Sequence, residues 1–136
     1  MQVKDVMTPQ VETIGRNDDL LMVDELMGRR HLRHLPVVEN NQIVGIVTQR
    51  DLFKAAMSSA MGYGEKAQHQ FLHSVRVKEI MVYPVITVAS DADLQEAVRL
   101  ILEQGVGCLP VVDGTQLVGM VTKTDLLRYL HTVSDC

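Results

Sequence analysis

Hydrophobic and polar positions along this chain switch between two periods, and the switches come in the same order twice. Val11-Glu12-Thr13-Ile14 alternates with a period of two, as a short strand does. Asn17-Asp18-Asp19 then offers helix caps ahead of a segment that puts Leu20, Val23, Leu26 and Met27 on one face. Leu35 to Glu39 and Gln42 to Thr48 are two further strand runs, separated by Asn40-Asn41, which tolerate the positive φ angles of a tight hairpin. A second helix is predicted from about Arg50 through an alanine- and methionine-rich stretch to Met61, where Gly62-Tyr63-Gly64 breaks it, and a short connecting helix is predicted over 65–74. The later half gives a strand from Val85 to Val88, a cap at Ser90-Asp91, a helix burying Leu94, Ala97, Val98 and Ile101, a hairpin turned at Gly114-Thr115, and a helix from about Thr124. The first helix of each half is predicted to end near Gly28 and Gly105.

This order is an internal repeat. Val3 to Phe53 can be laid over Val77 to Leu127 without a gap, each residue matching the one 74 places later. Met7 meets Met81, Thr13 meets Thr87, and Leu35-Pro36-Val37-Val38 meets Leu109-Pro110-Val111-Val112. Two units of roughly 50 residues would each be marginal alone, so they are expected to fold together. The expected fold class is α/β, each repeat running strand-helix-strand-strand-helix with a small mixed sheet packed on helices. The expected organisation is a first repeat at 1–58, a helical connector at 59–75 and a second repeat at 76–136.

Composition narrows the function classes. A formal charge of −4 and a pI near 5.7 leave no basic surface for a phosphate backbone, so nucleic acid is not an expected partner. No apolar run reaches the length of a membrane span and the first residues are ordinary domain sequence, so a cytoplasmic location without membrane association is expected. Cys108 lies in a strand pattern and Cys136 is the last residue, a spacing that gives neither a disulfide framework nor a zinc site.

The densest match holds the candidate chemistry. Gly45-Ile46-Val47-Thr48-Gln49-Arg50-Asp51 faces Gly119-Met120-Val121-Thr122-Lys123-Thr124-Asp125. A Thr closing a strand with Asp three residues on is a variant of the capping box. The same hydroxyl and carboxylate, at a helix start that favours a nearby phosphate, also suit the vicinal hydroxyls of a ribose. Gly45 and Gly119 are either packing devices or places where something flat approaches the backbone. No phosphate-binding loop, nucleophile elbow or His/Cys constellation is present, so no catalytic residue is assigned. His69 and His73 lie four apart on the connecting helix, but no carboxylate or cysteine completes a metal set and no metal is expected. Met22, Met27, Met57 and Met61 sit at helical positions suited to core or partner packing.

The whole ordered pattern, occurring twice, resembles the cystathionine-β-synthase (CBS) domain family. Lys4-Asp5-Val6-Met7-Thr8-Pro9 and Lys78-Glu79-Ile80-Met81 match its usual opening, and His34-Leu35-Pro36-Val37-Val38 with Val44-Gly45-Ile46-Val47-Thr48 matches its hairpin. The resemblance implies a pair of pseudo-twofold-related repeats, a Bateman module, with clefts between them that bind AMP, ADP, ATP, NAD or S-adenosylmethionine as regulatory ligands. It further implies a homodimer that modulates its own assembly or a protein effector in trans.

Carried over residue by residue, the resemblance makes Thr48, Asp51, Thr122 and Asp125 ribose-binding. Thr8, Pro9, Val11 and Thr13, and in the second copy Val82, Pro84, Val85 and Thr87, line the adenine slot; Tyr83, a lone aromatic next to a proline turn, is either a ring laid against the adenine or a packing residue. Arg33, His34 and Arg50 match its phosphate contacts, and Lys123 is the nearest later equivalent. The copies differ here, because Arg29-Arg30-His31-Leu32-Arg33-His34 faces Glu103-Gln104-Gly105-Val106-Gly107-Cys108 and Thr124 stands where Arg50 does. Part of that basic run also suits a solvated helix C-terminus. The two clefts are therefore expected to differ in ligand preference. Two alternatives stay open: a ligand-free dimerisation scaffold whose Thr/Asp pairs are only caps, and an enzyme or metal-dependent factor using His69, His73 or the basic cluster.

Overall fold

Asn40 and Asn41 turn the first hairpin with φ of 54° and 62°, and Gly114, with φ of 62°, opens the turn of the second. The computed structural model describes residues 1–60 and 64–134, so Met61, the Gly62-Tyr63 part of the expected helix break, and Cys136 lie outside it. In chain order the elements are β1 (Thr8–Pro9), α1 (Leu20–Arg30), β2 (His34–Glu39), β3 (Gln42–Thr48), α2 (Gln49–Ala60), α3 (Gly64–Ser74), β4 (Val88–Ala89), α4 (Leu94–Gln104), β5 (Cys108–Asp113), β6 (Gln116–Thr122) and α5 (Lys123–Ser134). The class is α/β, as the two periods predict. The chain forms two compact units: Glu12–Val85, and Met1–Val11 together with the chain from Ile86 onward.

In the Glu12–Val85 unit, β2 and β3 pair antiparallel with an irregularity between Val37 and Val38. The strand expected at Val11 to Ile14 contracts to one parallel bridge, Ile14 to Val37, and on the far side of the hairpin Ile46 bridges antiparallel to Val82. Asp19 caps α1 by accepting from the Met22 amide at 2.9 Å. The helix runs past Gly28 to Arg30 and ends on His31, in the left-handed region at φ 55°. The core gathers Leu20, Val23 and Met27 of α1 with Leu35, Val37, Val47, Leu52, Leu72 and Val77. Val77 belongs by sequence to the opening of the second repeat. It is fully buried here, and its amide donates to the Asp18 carbonyl at 2.8 Å.

The other unit has the same plan. β5 and β6 form the hairpin, β4 pairs parallel with β5, and β1 pairs antiparallel with β6. The strand expected at Val85 to Val88 is displaced to Val88–Ala89. Asp93, rather than Ser90-Asp91, caps α4, accepting from the Gln95 amide at 2.8 Å. Ser90 instead turns its hydroxyl to Asp113 at the hairpin. Gly105 ends α4 with φ 66°. The core is Val3, Val88, Ala97, Ile101, Leu109, Val111 and Val121. Val3, from the opening of the first repeat, is fully buried in it, with its amide donating to the Ala92 carbonyl at 2.9 Å. Each unit is thus assembled from the hairpin and helices of one repeat and the opening segment of the other. Burying one valine side chain stabilises by about 1.5–3 kcal/mol, so these openings are integral parts of the cores they enter.

Candidate functional site

At the end of β3 the chain passes directly into α2, and the start of that helix needs partners for its free N–H groups. Thr48 and Asp51 supply them reciprocally. The Thr48 amide donates to Asp51 Oδ2 at 3.1 Å, the Asp51 amide donates to Thr48 Oγ1 at 3.1 Å, and the Thr48 hydroxyl itself donates to Asp51 Oδ2 at 2.8 Å. The box uses one carboxylate oxygen. Oδ1 has no donor among the described residues.

The second box differs in one respect. The Thr122 amide donates to Asp125 Oδ2 at 2.9 Å and the Asp125 amide to Thr122 Oγ1 at 3.1 Å, but Asp125 Oδ1 lies 3.8 Å from the Arg128 guanidinium. Asp125 is buried, whereas Asp51 is half-buried.

The residues flanking the two boxes on the hairpin side differ in charge. His34 opens β2 directly opposite Thr48 in the hairpin register, and the Arg33 carbonyl accepts from the Gln49 amide at 2.8 Å. Burial, and next the Arg33 guanidinium, hold the half-buried His34 below its ordinary value, while the Asp51 carboxylate pulls it back up. Arg33 is exposed. At the matching places of the other unit stand Gly107 and Cys108, with Cys108 opposite Thr122 and its thiol pushed up to about 12 by burial. Lys123 is exposed, its amide donating to the Gly107 carbonyl at 3.2 Å. Arg50 opens onto a cavity among α1, α2 and α3 that neither Thr48 nor Asp51 lines.

The adenine candidates fall crosswise. Thr8 and Pro9 pair with Met120 and Gly119, two and three residues before Thr122, so they lie in the unit that holds the second box. Val82 exchanges two backbone hydrogen bonds with Ile46, at 2.9 and 3.1 Å, two residues before Thr48. Val82 is 49% and Tyr83 67% exposed, Pro84 is exposed, and Val85 is half-buried, all in the unit of the first box. Val11 and Thr87 belong to the unit of the second box and Thr13 to that of the first. The opening segments exchange, so a segment early in one repeat lies beside the Thr/Asp box of the other.

Met7 and Met81 are the positions that site reasoning missed. Both lie over strand glycines, Met81 on Gly45 and Met7 on Gly119. The signal was a methionine and a glycine repeated at the same spacing in both copies. His69 lines the helix cavity, and His73 Nδ1 lies 3.6 Å from Asp19. Among the described residues no three His, Cys, Asp or Glu side chains gather as metal ligands, and no helix is long and apolar enough to cross a membrane.

A family model for the CBS domain matches residues 3–58 and again 77–132. Among solved structures, a Vibrio cholerae protein assigned to acetoin utilization superposes with a TM-score of 0.82 at 32% identity, covering 99% of this chain and 93% of its own. CBSX2 in complex with AMP gives 0.81 at 25% identity, covering 98% of both chains. The CBS domain pair of protein MJ0100, in complex with 5′-methylthioadenosine and S-adenosyl-L-methionine, gives 0.80 at 25% identity, covering 96% of this chain and 99% of that one. The chain spans less than half the length of the curated relatives it matches first, between 24% and 45% for five of them.

Proposed function

The chain belongs to the CBS domain family, with two copies of the domain, and from that premise we propose that it is a regulatory module that binds an adenosine compound at its Thr/Asp boxes and thereby modulates a partner protein or its own assembly. The observation that carries this is the first box. Its hydrogen bonds fix the Asp51 carboxylate through Oδ2 and leave Oδ1 for ribose hydroxyls. The cap and the ligand therefore do not compete, and the first orients the carboxylate for the second.

AMP, 5′-methylthioadenosine and S-adenosylmethionine, the compounds held by the two solved relatives, share adenosine and differ beyond the 5′ carbon. That difference meets the asymmetry between the units. Arg33 and His34 favour a 5′-phosphate beside the first box, as in AMP, ADP, ATP or NAD. Gly107 and Cys108 supply no charge beside the second and suit a neutral or sulfur-bearing 5′ group. The exposed segment at Tyr83-Pro84, and that at Thr8-Pro9, is the edge that would read the base. Thr48 Oγ1 is engaged in the cap both as donor and as acceptor, so binding without turnover is the role this box fits.

The test is a thermal-shift series with AMP, ADP, ATP, NAD, 5′-methylthioadenosine and S-adenosylmethionine on the wild type, Asp51→Asn and Asp125→Asn. A ligand at about a hundred times its dissociation constant adds roughly 2.7 kcal/mol, several degrees for a chain of this size. The AMP shift should be lost in Asp51→Asn and kept in Asp125→Asn. No shift with any compound would leave the boxes as helix caps and the chain as an assembly scaffold.

A further inference from the structure

The cavity onto which Arg50 opens is a second concavity, with a volume of about 610 Å³, in the Glu12–Val85 unit. It exists because α3, the connecting helix, packs beside α1 and α2. The other unit has only α4 and α5 among its described α-helices, so the cavity is not one of a repeated pair. Its floor is apolar, with Leu52, Ala56 and Leu72 buried and Leu21 half-buried, and Phe53 stands 63% exposed at its edge. A volume of this size falls in the range of roughly 300–1,000 Å³ that small-molecule sites occupy.

The rim carries both signs of charge. Asp24 comes from α1, Arg50 from α2, and Glu65 and His69 from successive turns of α3. None of the four side chains makes an ion pair or hydrogen bond with another described residue. A phosphate drawn to Arg50 would meet two carboxylates, and a simple cation drawn to the carboxylates would meet Arg50. The histidine and carboxylates do not gather as metal ligands. A molecule that carries one charge of each sign and a compact apolar body satisfies Arg50, the two carboxylates and the apolar floor at once.

We propose that the cavity binds a zwitterion of the apolar α-amino acid class, its carboxylate on Arg50, its ammonium on Asp24 and Glu65, and its side chain on Leu52, Ala56 and Leu72. An Arg guanidinium matches a carboxylate with two parallel hydrogen bonds, and the two acids suit an ammonium with three donors. Such a ligand touches all three helices and would hold the connecting helix against α1 and α2.

The experiment is calorimetry with NMR chemical-shift mapping on the whole chain, using L-leucine and L-phenylalanine as probes beside 4-methylpentanoate, which lacks the ammonium, and 3-methylbutylamine, which lacks the carboxylate. The amino acids should bind at least tenfold tighter than either truncated probe, with shifts mapped to α1, α2 and α3. Arg50→Gln should weaken L-leucine about tenfold and leave 3-methylbutylamine unchanged, and the pair Asp24→Asn with Glu65→Gln should do the converse. AMP binding should be unaltered in the Asp24→Asn, Glu65→Gln variant, which separates this cavity from the Asp51 box. Equal binding of 4-methylpentanoate and L-leucine, or no response to either amino acid at millimolar concentration, would overturn the proposal. So would an Arg50→Gln variant that loses AMP and keeps L-leucine.

Discussion

Met81 lies on Gly45 so closely that a Cβ built on the glycine would stand 2.5 Å from its Sδ, 3.0 Å from its Cγ and 3.2 Å from its Cβ. Met7 lies on Gly119 in the same way, at 2.7 Å to Sδ, with the Thr8 carbonyl oxygen at 2.8 Å. Each methionine immediately precedes a segment that pairs with the hairpin, Val82 on β3 and Thr8 on β6. The strand glycine is thus a seat for the exchanged opening, and the seat sets where that segment runs beside the Thr/Asp box.

Alanine at the two seats should therefore cost different amounts. Overpacking a well-filled site costs about 1–3 kcal/mol. Gly45→Ala meets a thioether that can turn aside and should fall near the lower end, whereas Gly119→Ala meets a backbone carbonyl and should reach the upper end or exceed it. Urea unfolding of both variants measures this. Adding Met81→Ala should recover part of the Gly45→Ala loss in a double-mutant cycle, while adding Met7→Ala to Gly119→Ala should recover little.

His31 and Gly105 occupy matching positions and both end a helix in the left-handed region, at φ 55° and 66°. A side chain there costs roughly 1–2 kcal/mol, part of which glycine returns through its freer unfolded chain. His31→Gly should raise stability by about 0.5–1 kcal/mol, read as a higher urea midpoint at unchanged slope. A lower midpoint would mean that the imidazole makes a contact worth more than the strain.

The features legible in the sequence were those carried by local periodicity and turn chemistry. Asn40-Asn41, the faces of Leu20-Val23-Met27 and Leu94-Ala97-Ile101, and both Thr/Asp boxes stand where the pattern puts them. The misses have tertiary causes. Gly28 looks like a helix stop, yet the end falls at His31, where the chain must turn into β2. Ser90-Asp91 looks like a cap, but the Ser90 hydroxyl goes to Asp113, and Asp93 takes the cap three residues later than expected at Ser90. The exchange of Val3 and Val77 was beyond a periodicity argument, because two similar repeats offer each opening segment two similar cores, and only long-range packing chooses.

Cys108 should be inert although it is a free thiol. It is buried between strands and its thiol is pushed up to about 12, so the thiolate that reacts with electrophiles is scarce near neutral pH. Iodoacetamide at about pH 8 should leave Cys108 unmodified in the folded chain and label it fully in urea, with peptide mass spectrometry separating it from Cys136. Rapid native labelling of Cys108 would show that β5 opens readily at the edge of its hairpin.

His34, at the place matching Cys108, should titrate, and the direction follows from its surroundings. Burial and Arg33 hold its folded value below the ordinary 6.5, so between that lowered value and 6.5 the unfolded chain binds more protons than the folded one. The contribution of this group to stability is complete above about pH 6.5 and declines as the pH falls through that window. His34→Gln should flatten this part of the stability profile. A 5′-phosphate at the first box would reverse the preference, because it favours the imidazolium that burial and Arg33 oppose. AMP should therefore bind with proton uptake and more tightly as the pH falls from about 7.5 towards 6, whereas 5′-methylthioadenosine, which has no phosphate, should show no such slope. Calorimetry in two buffers of different ionisation enthalpy reads the uptake directly. If AMP binding took up the same number of protons in His34→Gln as in the wild type, His34 would not be the phosphate contact, and Arg33 alone would carry that role.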